Sequence, residues 1–332
     1  MEPTPRQPMT FSFPELIRRT FLIYRENFLT IIGLVAFVTI PISLINIIIS
    51  PQPLAALTAA TTATDTPDMT GLLLSLLSLL QSILITAPLT YLVSEYLFGH
   101  KLSIGQAFSG VNSRFTQIGC GVLLIGFVVG IMAVFILFLV ILFPPALILS
   151  GLLIHIIIAT SALMFPVLTL ENIGASAALS RSWSLGKRRF WAAFGVGLVT
   201  VIISLIISSV LGSIVTLFIT SAVPNMNLNL QFLVISLISD IVSIFIIPIS
   251  PIAFTLMYYD IRMKTEDLGT LLNTDVTSGQ RPNNFISPVS RFQFDGHDWR
   301  NIAILSVIGL IVGIIGNSLI QQLIAQLAPG LK

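Results

Sequence analysis

The fold is decided by one long apolar stretch, QIGCGVLLIGFVVGIMAVFILFLVIL at 117–142, FPP at 143–145 and ALILSGLLIHIIIATSALMFPVLTL at 146–170. It contains no Asp, Glu, Lys or Arg, and each half exceeds the roughly 20 residues that a helix needs to cross a bilayer. Because proline cannot donate a helical hydrogen bond, Pro144 and Pro145 predict a tight turn between two helices. The stretch therefore predicts a transmembrane hairpin.

The composition of the whole chain agrees with a membrane protein. Of 332 residues, 55% are hydrophobic and 9% are charged, against about 25% charged in a typical soluble domain. A water-soluble globule is excluded, and the net charge of +2 gives no electrostatic basis for a nucleic-acid partner. Since the first 25 residues lack an apolar core with a cleavage site, we expect no cleaved signal peptide.

Seven stretches are long enough to span a bilayer, which predicts an all-α polytopic membrane protein of about seven transmembrane helices. Six of them form a membrane domain over 28–260, after an N-terminal segment at 1–27. Residues 261–300 are polar without periodicity and predict a disordered linker before a seventh helix in 301–332. The predicted spans are 28–50, 71–98, 117–142, 146–170, 191–220, 231–258 and 302–326.

The positive charges are divided unevenly between the loops. With these spans, every Lys and Arg except Lys332 falls on one side of the membrane, and the loops at 51–70, 143–145 and 221–230 carry none. Because Lys and Arg concentrate on the cytoplasmic side, we expect a cytoplasmic N-terminus and a C-terminus outside. The expected location is a bacterial inner membrane.

A threefold internal pattern precedes the first, third and fifth spans. The first and fifth segments match when Phe28 is laid on Phe190, and the copy before the third span is weaker. Each copy predicts an amphipathic helix in the cytoplasmic interface, followed by a transmembrane hairpin. Besides acting as topogenic signals, the basic residues of these helices are candidates for binding lipid headgroups: Arg18, Arg19, Arg25, Arg181, Lys187, Arg188 and Arg189.

Three segments carry a resemblance to a known family, RRTFLIYRENF at 18–28, LSRSWSLGKRRFW at 179–191 and PIAFTLMYYDIR at 251–262. Over about residues 10–267 the chain resembles the membrane-spanning domain family associated with bacterial glycerophosphoryl diester phosphodiesterases. The resemblance implies a six-helix core and no activity, because the phosphodiesterase chemistry of such fusions belongs to a separate soluble barrel. A barrel needs about 250 residues, and no soluble stretch here has that length.

Polar side chains within or beside the predicted spans are the candidate functional residues. Asp240 and His155 lie at comparable depth in their units and are candidates for facing each other. Three interpretations are open. The two residues form a neutral pair that fixes helix packing, they belong to a proton or ion pathway, or they face lipid because the spans are misjudged. Glu95 is predicted to anchor at headgroup level or to pair with Lys101, and Glu171 to be solvated in a loop.

Two glycine pairs and the single cysteine complete the candidates. The G-x-x-x-G pairs Gly126 with Gly130 and Gly309 with Gly313 predict close helix packing, with self-association as one use. Cys120 is expected to be a buried inert thiol. A metal or catalytic site at this cysteine would need partner residues that the surrounding sequence does not supply.

The sequence predicts neither an enzyme nor a cofactor, because it has no nucleophile–base signature, metal-ligand spacing or glycine-rich phosphate loop. The leading hypothesis is a non-enzymatic membrane scaffold or accessory subunit, which works with membrane lipids and with membrane-protein partners or further copies of itself. The alternative is a transporter or lipid-translocating protein that uses Asp240 and His155. A membrane-bound lipid-modifying enzyme is the third hypothesis.

Overall fold

The computed structural model describes residues 11–49, 69–171, 173–222, 228–266 and 292–327. Within these ranges the chain forms helices and turns, with no β-strand. The described segments that are long and apolar enough to cross a membrane are Phe28–Ile49, Met69–Leu97, Ile104–Leu142, Ser150–Leu170, Ala175–Val215 and Leu233–Thr265. The chain is an all-α polytopic membrane protein, which confirms the predicted fold class.

The described ranges contain eleven α-helices joined by turns. They are α1 (Phe13–Glu26), α2 (Phe28–Ile49), α3 (Met69–Leu97), α4 (Ile104–Val111), α5 (Phe115–Leu142), α6 (Ser150–Leu170), α7 (Ala175–Gly186), α8 (Phe190–Ala222), α9 (Leu228–Ile246), α10 (Ile249–Thr265) and α11 (Gly296–Leu327). Short 3-10 helices precede α5, α6 and α8, at Asn112–Arg114, Pro144–Leu149 and Lys187–Arg189.

The short helices α1 and α4 form where the sequence predicts amphipathic helices. Pro14 stands in the first turn of α1, where its missing N–H interrupts no helical hydrogen bond. Ser103 caps α4, because its hydroxyl accepts from the Gln106 amide while the Gln106 side chain accepts from the Ser103 amide. Helix α1 buries one face, including Leu16 and Ile23, and packs against α10.

The third short helix, α7, is buried against α6, which differs from the interfacial position predicted for it. Ala178 and all residues of 181–186 are buried. The helices approach so closely that a Cβ added to Gly186 would stand 2.1 Å from the carbonyl oxygen of Ala159. A residue without a side chain permits this backbone contact, and the apolar pattern of α7 does not reveal it.

Two helix boundaries differ from those predicted because prolines break the helices. The segment predicted as one span at 231–258 is interrupted at Ile247 and Pro248, which separate α9 from α10. The predicted span at 146–170 becomes an α-helix only from Ser150, after the 3-10 helix that begins at Pro144. Both spans are therefore present with changed ends.

The segment predicted as a linker, 261–300, is ordered at both of its ends. Helix α10 continues to Thr265, and α11 begins at Gly296 rather than at 301. The part of the predicted linker at 267–291 lies outside the described residues. The crossing of the membrane by α11 stays a prediction, since α11 is not among the six segments above.

Helix α11 packs closely against the start of α6. A Cβ added to Gly151 would stand 2.2 Å from the Ser306 hydroxyl oxygen, and one added to Gly309 would stand 2.9 Å from the hydroxyl oxygen of Ser150. The close packing predicted at Gly309 is therefore present within the chain. Around Gly126 and Gly130 there is no atom within 4 Å of an added Cβ in the described ranges, and Cys120 is exposed rather than buried.

Candidate functional site

A buried ion-pair cluster joins the ends of α6 and α10 to α7. Arg181 is 3% exposed and donates from Nε to both carboxylate oxygens of Glu171, at 3.2 and 3.0 Å. Its two terminal nitrogens donate to Glu266 at 2.5 and 2.8 Å. Arg262 donates to Glu266 at 2.9 Å and to the Tyr258 hydroxyl at 2.6 Å. That hydroxyl donates in turn to Glu171 at 2.8 Å.

The charges of this cluster balance, which is the condition for keeping ions in a buried position. Two guanidinium groups face two carboxylates, and an unpaired ion at such a depth would be strongly destabilising. Burial alone would raise the pKa of Glu266, but hydrogen bonds and charges from Arg181 and Arg262 outweigh it and hold that pKa below its ordinary value. The cluster therefore fixes the relative positions of three helices.

Two sequence predictions are wrong at this cluster. Arg181 was expected to contact lipid headgroups, and Glu171 was expected to be solvated in a loop. Both are buried and bound to each other, and Glu171 is 0% exposed. The physical reason is that α7 folds back onto α6, so that a residue of the loop and a residue of α7 become neighbours inside the bundle.

His155 forms a second buried contact, with the start of α11. Its Nε2 lies 3.1 Å from Oδ1 of Asp298, and its ring is 0% exposed. Lys187 completes the group, with Nζ 3.4 Å from Oδ2 of Asp298 and 3.0 Å from Asp295. The hydrogen bond from Lys187 lowers the pKa of Asp295. His155 thus pairs with Asp298 rather than with Asp240, which lies half-buried on α9.

A third group of contacts connects Phe11, which precedes α1, to α10. The backbone amide of Phe11 donates to Asp260 at 2.5 Å, and the carbonyl oxygen of the same residue accepts from Arg189 at 3.2 Å. Arg189 also forms an ion pair with Asp260. Lys264 reaches the same carboxylate at 2.9 Å. Arg189, predicted to bind headgroups, is therefore used mainly inside the protein.

The remaining predicted residues do not take part in the contacts of these three groups. Glu95 pairs with His100 at 2.9 Å instead of with Lys101, which is exposed. On the surface of α1, Arg18 and Arg19 pair with Glu15, and these pairs lower the pKa of that carboxyl to about 2. Three of the predicted headgroup cations present exposed side chains: Arg18, Arg25 and Arg188.

A basic basin adjoins the Lys187 group. It has a volume of about 770 Å³, and its charged lining consists of Lys187, Arg188, Arg189, Arg300, Asp295 and Asp298. Lys187 and Arg189 are paired with carboxylates, whereas Arg188 and Arg300 are exposed. Exposed cations of this kind attract anionic groups.

A separate cavity of about 790 Å³ lies between α3, α6, α8, α9 and α10, and we call it the hydroxyl cavity. Among the residues that the structure describes, its lining includes eight Ser and Thr side chains and no Asp, Glu, Lys, Arg or His. Asp240 and His155 are therefore not part of its wall. Neither of the residues predicted to carry transport belongs to this cavity, and they do not form a shared site.

The described ranges contain no group of three His, Cys, Asp or Glu side chains placed to hold a metal ion. The charged residues that do meet are engaged with one another in pairs of opposite sign. Such pairs fix helices. The described residues also line two concave surfaces, the basic basin and the hydroxyl cavity.

Several residues of these groups were missed by sequence reasoning, although one signal was present. Tyr258, Arg262 and Glu266 follow one another at intervals of four, which places them on one helical face and favours their mutual contact. Asp260 and Lys264 also lie four residues apart, which favours their ion pair. Asp298 offered no comparable signal, because its partner His155 lies on another helix.

Comparison with known proteins finds no matching family model, no similar curated protein and no similar solved structure. The resemblance to the membrane domains associated with glycerophosphoryl diester phosphodiesterases therefore stays a prediction.

Proposed function

We propose that the protein is a non-enzymatic membrane scaffold or accessory subunit, which binds membrane lipids and partner proteins through a rigid helix bundle. The observation that carries this proposal is the ion-pair cluster of Arg181, Arg262, Glu171 and Glu266. Its charged side chains form ion pairs with one another that join α6, α7 and α10. Carboxylates held in such ion pairs have a structural role rather than a role in proton transfer. A bundle fixed by such contacts is a suitable platform for other molecules.

The basic basin is the surface where we expect anionic lipid to bind. In the predicted orientation its cations face the cytoplasmic leaflet, where each Lys or Arg near the surface contributes about 1 kcal/mol to the attraction of anionic lipid. Arg188 and Arg300 are the two exposed cations of the basin. The proposal also includes an architecture of three units, each a short helix followed by a hairpin. It places the protein in a bacterial inner membrane with its N-terminus in the cytoplasm.

Gentle detergent extraction followed by mass spectrometry of co-purifying chains and lipids tests the proposal. We expect retained anionic lipid, and less of it in the double variant Arg188→Ala with Arg300→Ala. Lys101→Ala removes an exposed cation outside the basin and serves as the matched control. A protein that emerges alone, monomeric and free of lipid would refute the scaffold.

The second candidate is a transporter or lipid-translocating protein, and the hydroxyl cavity is the observation that favours it. A transport mechanism that uses Asp240 and His155 together lacks support. His155 contacts Asp298 and Trp183 and does not line the cavity. An Asp240→Asn variant with unchanged phenotype would agree with that conclusion. A loss of uptake in this variant would restore the residue to a transport role.

A further inference from the structure

We propose that the hydroxyl cavity binds an uncharged lipid with a hydrogen-bond-donating hydroxyl group, of the diacylglycerol class. This site goes beyond the scaffold proposal, which concerns the basic basin and partner proteins. The cavity of about 790 Å³ is within the size range of ligand pockets in proteins, which is roughly 300 to 1,000 Å³. It lies between helices that belong to membrane-spanning segments, so a ligand reaches it from the bilayer.

The absence of charge in the described lining decides the charge of the ligand. An ionised headgroup among apolar and hydroxyl side chains would lose its hydration without gaining a partner of opposite charge. The free energy of this desolvation is far larger than the free energy gained from hydrogen bonds to the hydroxyls. The apolar part of the lining, including Phe165, Phe194 and Phe254, provides contact area for hydrocarbon. An uncharged molecule with apolar chains satisfies both parts of this surface.

The hydrogen bonds already made by the lining hydroxyls indicate that the ligand is a hydrogen-bond donor. Five of its hydroxyls already donate to backbone carbonyl oxygens three or four residues earlier in their own helices, at 2.5 to 2.9 Å. Such hydroxyls have used their hydrogen atoms and keep acceptor lone pairs. They are Ser161, Thr200, Ser204, Ser239 and Ser243. A ligand that donates a hydrogen bond therefore matches this wall.

A proline adds a further acceptor at the same wall. Pro166 lies inside α6 and has no N–H to donate to the carbonyl oxygen of Ala162. Ala162 lines the cavity. Its carbonyl group therefore lacks the usual helical donor, which favours the same kind of ligand.

Thr90 is the second, independent observation that indicates a ligand. It lines the cavity, is 0% exposed, and its hydroxyl oxygen has no hydrogen-bond partner among the described residues. A buried hydroxyl without a partner is costly, and native proteins normally satisfy such groups with protein, water or ligand. A lipid hydroxyl within reach of Thr90 would satisfy it.

The cavity opens at the surface of α8. Leu198 and Val201 line it and remain 46% and 52% exposed. On the same helix, Gly197 lines the cavity and has no atom within 4 Å of an added Cβ in the described ranges. A larger side chain at Gly197 therefore enters the space where the lipid would lie without displacing the surrounding helices.

Photo-crosslinking with a diacylglycerol that carries a diazirine in one acyl chain tests the proposal, with the full chain in phosphatidylcholine vesicles. We expect labelled peptides from α3, α6, α8, α9 or α10. Labelling should fall about fivefold when the probe hydroxyl is methylated, which is the factor that corresponds to one average hydrogen bond. A phosphatidic acid probe with the same chains should label still less.

Two variants connect the labelling to the cavity. Gly197→Leu should abolish it, whereas Gly126→Leu, at a glycine with equally open surroundings outside the cavity, should leave it unchanged. Thr90→Val, which keeps the shape and removes the hydroxyl, should lower labelling about fivefold, with Thr160→Val as control. Wild-type labelling of Gly197→Leu, equal labelling by all three probes, or label confined to other helices would each overturn the proposal.

Discussion

Replacement of Arg181 by methionine tests whether the ion-pair cluster holds the bundle together. The guanidinium makes four hydrogen bonds to two carboxylates, and the residue is 3% exposed. Its removal leaves Glu171 and Glu266 with Arg262 as the remaining cation of the cluster. Removal of one partner from a buried pair costs about 3 to 5 kcal/mol, because a charge stays buried without compensation. We expect a loss of this size in the free energy of unfolding.

The matched control is Arg18→Met, which breaks an ion pair of the same chemistry on the surface. Arg18 has a 65% exposed side chain and pairs with Glu15, so we expect a much smaller loss, because water and salt screen an exposed ion pair. Both variants are compared by titrating SDS into the protein in a mild nonionic detergent and following helix content. Arg181→Lys keeps the charge without the forked donors and should lie between them. Equal stability of the Arg181→Met and Arg18→Met proteins would refute the reasoning.

Three further predictions concern acid stability, helix packing and orientation. The pKa of Glu266 is lowered in the folded protein, so its contribution is present above the unfolded pKa and is lost as the pH falls through the folded pKa. SDS titrations below about pH 4.5 should therefore show a steeper loss of stability in wild type than in Glu266→Gln; parallel losses would contradict this. Gly186→Ala should cost about 1 to 3 kcal/mol because its Cβ meets the Ala159 carbonyl oxygen, whereas Gly126→Ala, inside α5 with open surroundings, should cost under about 0.5 kcal/mol; equal costs would argue against the close crossing of α6 and α7. A periplasmic reporter fused after Pro53 should be active and one fused after Gly279 inactive, and the reverse pattern would overturn the orientation.

The sequence is sufficient to predict the six segments that are able to span a membrane, because hydropathy and length are local properties. The turn at Pro144 and the amphipathic helix α1 were both expected, and both are present. The segment at 231–258 was predicted as one span, since hydropathy does not fall where α9 meets α10 and a proline inside an apolar segment is compatible with a continuous helix.

The candidate site was harder to predict because its contacts join distant parts of the chain. His155 was a candidate for facing Asp240, but its partner Asp298 lies in a segment whose composition indicates a linker. Likewise, Arg181 looks like any other basic residue before a membrane helix. Its burial depends on Gly186, which lets α7 approach α6, and on Glu266, 85 residues further along the chain.

The hydroxyl cavity shows a second limit of sequence reasoning. Its Ser and Thr residues are scattered over five helices and are common in apolar segments, so no single helix indicates a site. The absence of charge in the described lining becomes informative only once the helices are assembled. Asp240 drew attention in the sequence because it is charged, yet its neighbours Ser239 and Ser243 are the α9 hydroxyl residues that line the cavity.

The most direct test of the central claim is a native mass spectrum of the full chain released from a mild detergent. A membrane scaffold that binds lipids and partners should appear with the mass of bound lipid, of further protein chains, or of both. These adducts should decrease when Arg188 and Arg300 are both replaced by alanine. A wild-type spectrum that contains only the bare single chain, under conditions that preserve lipid on an unrelated membrane protein, would contradict the account.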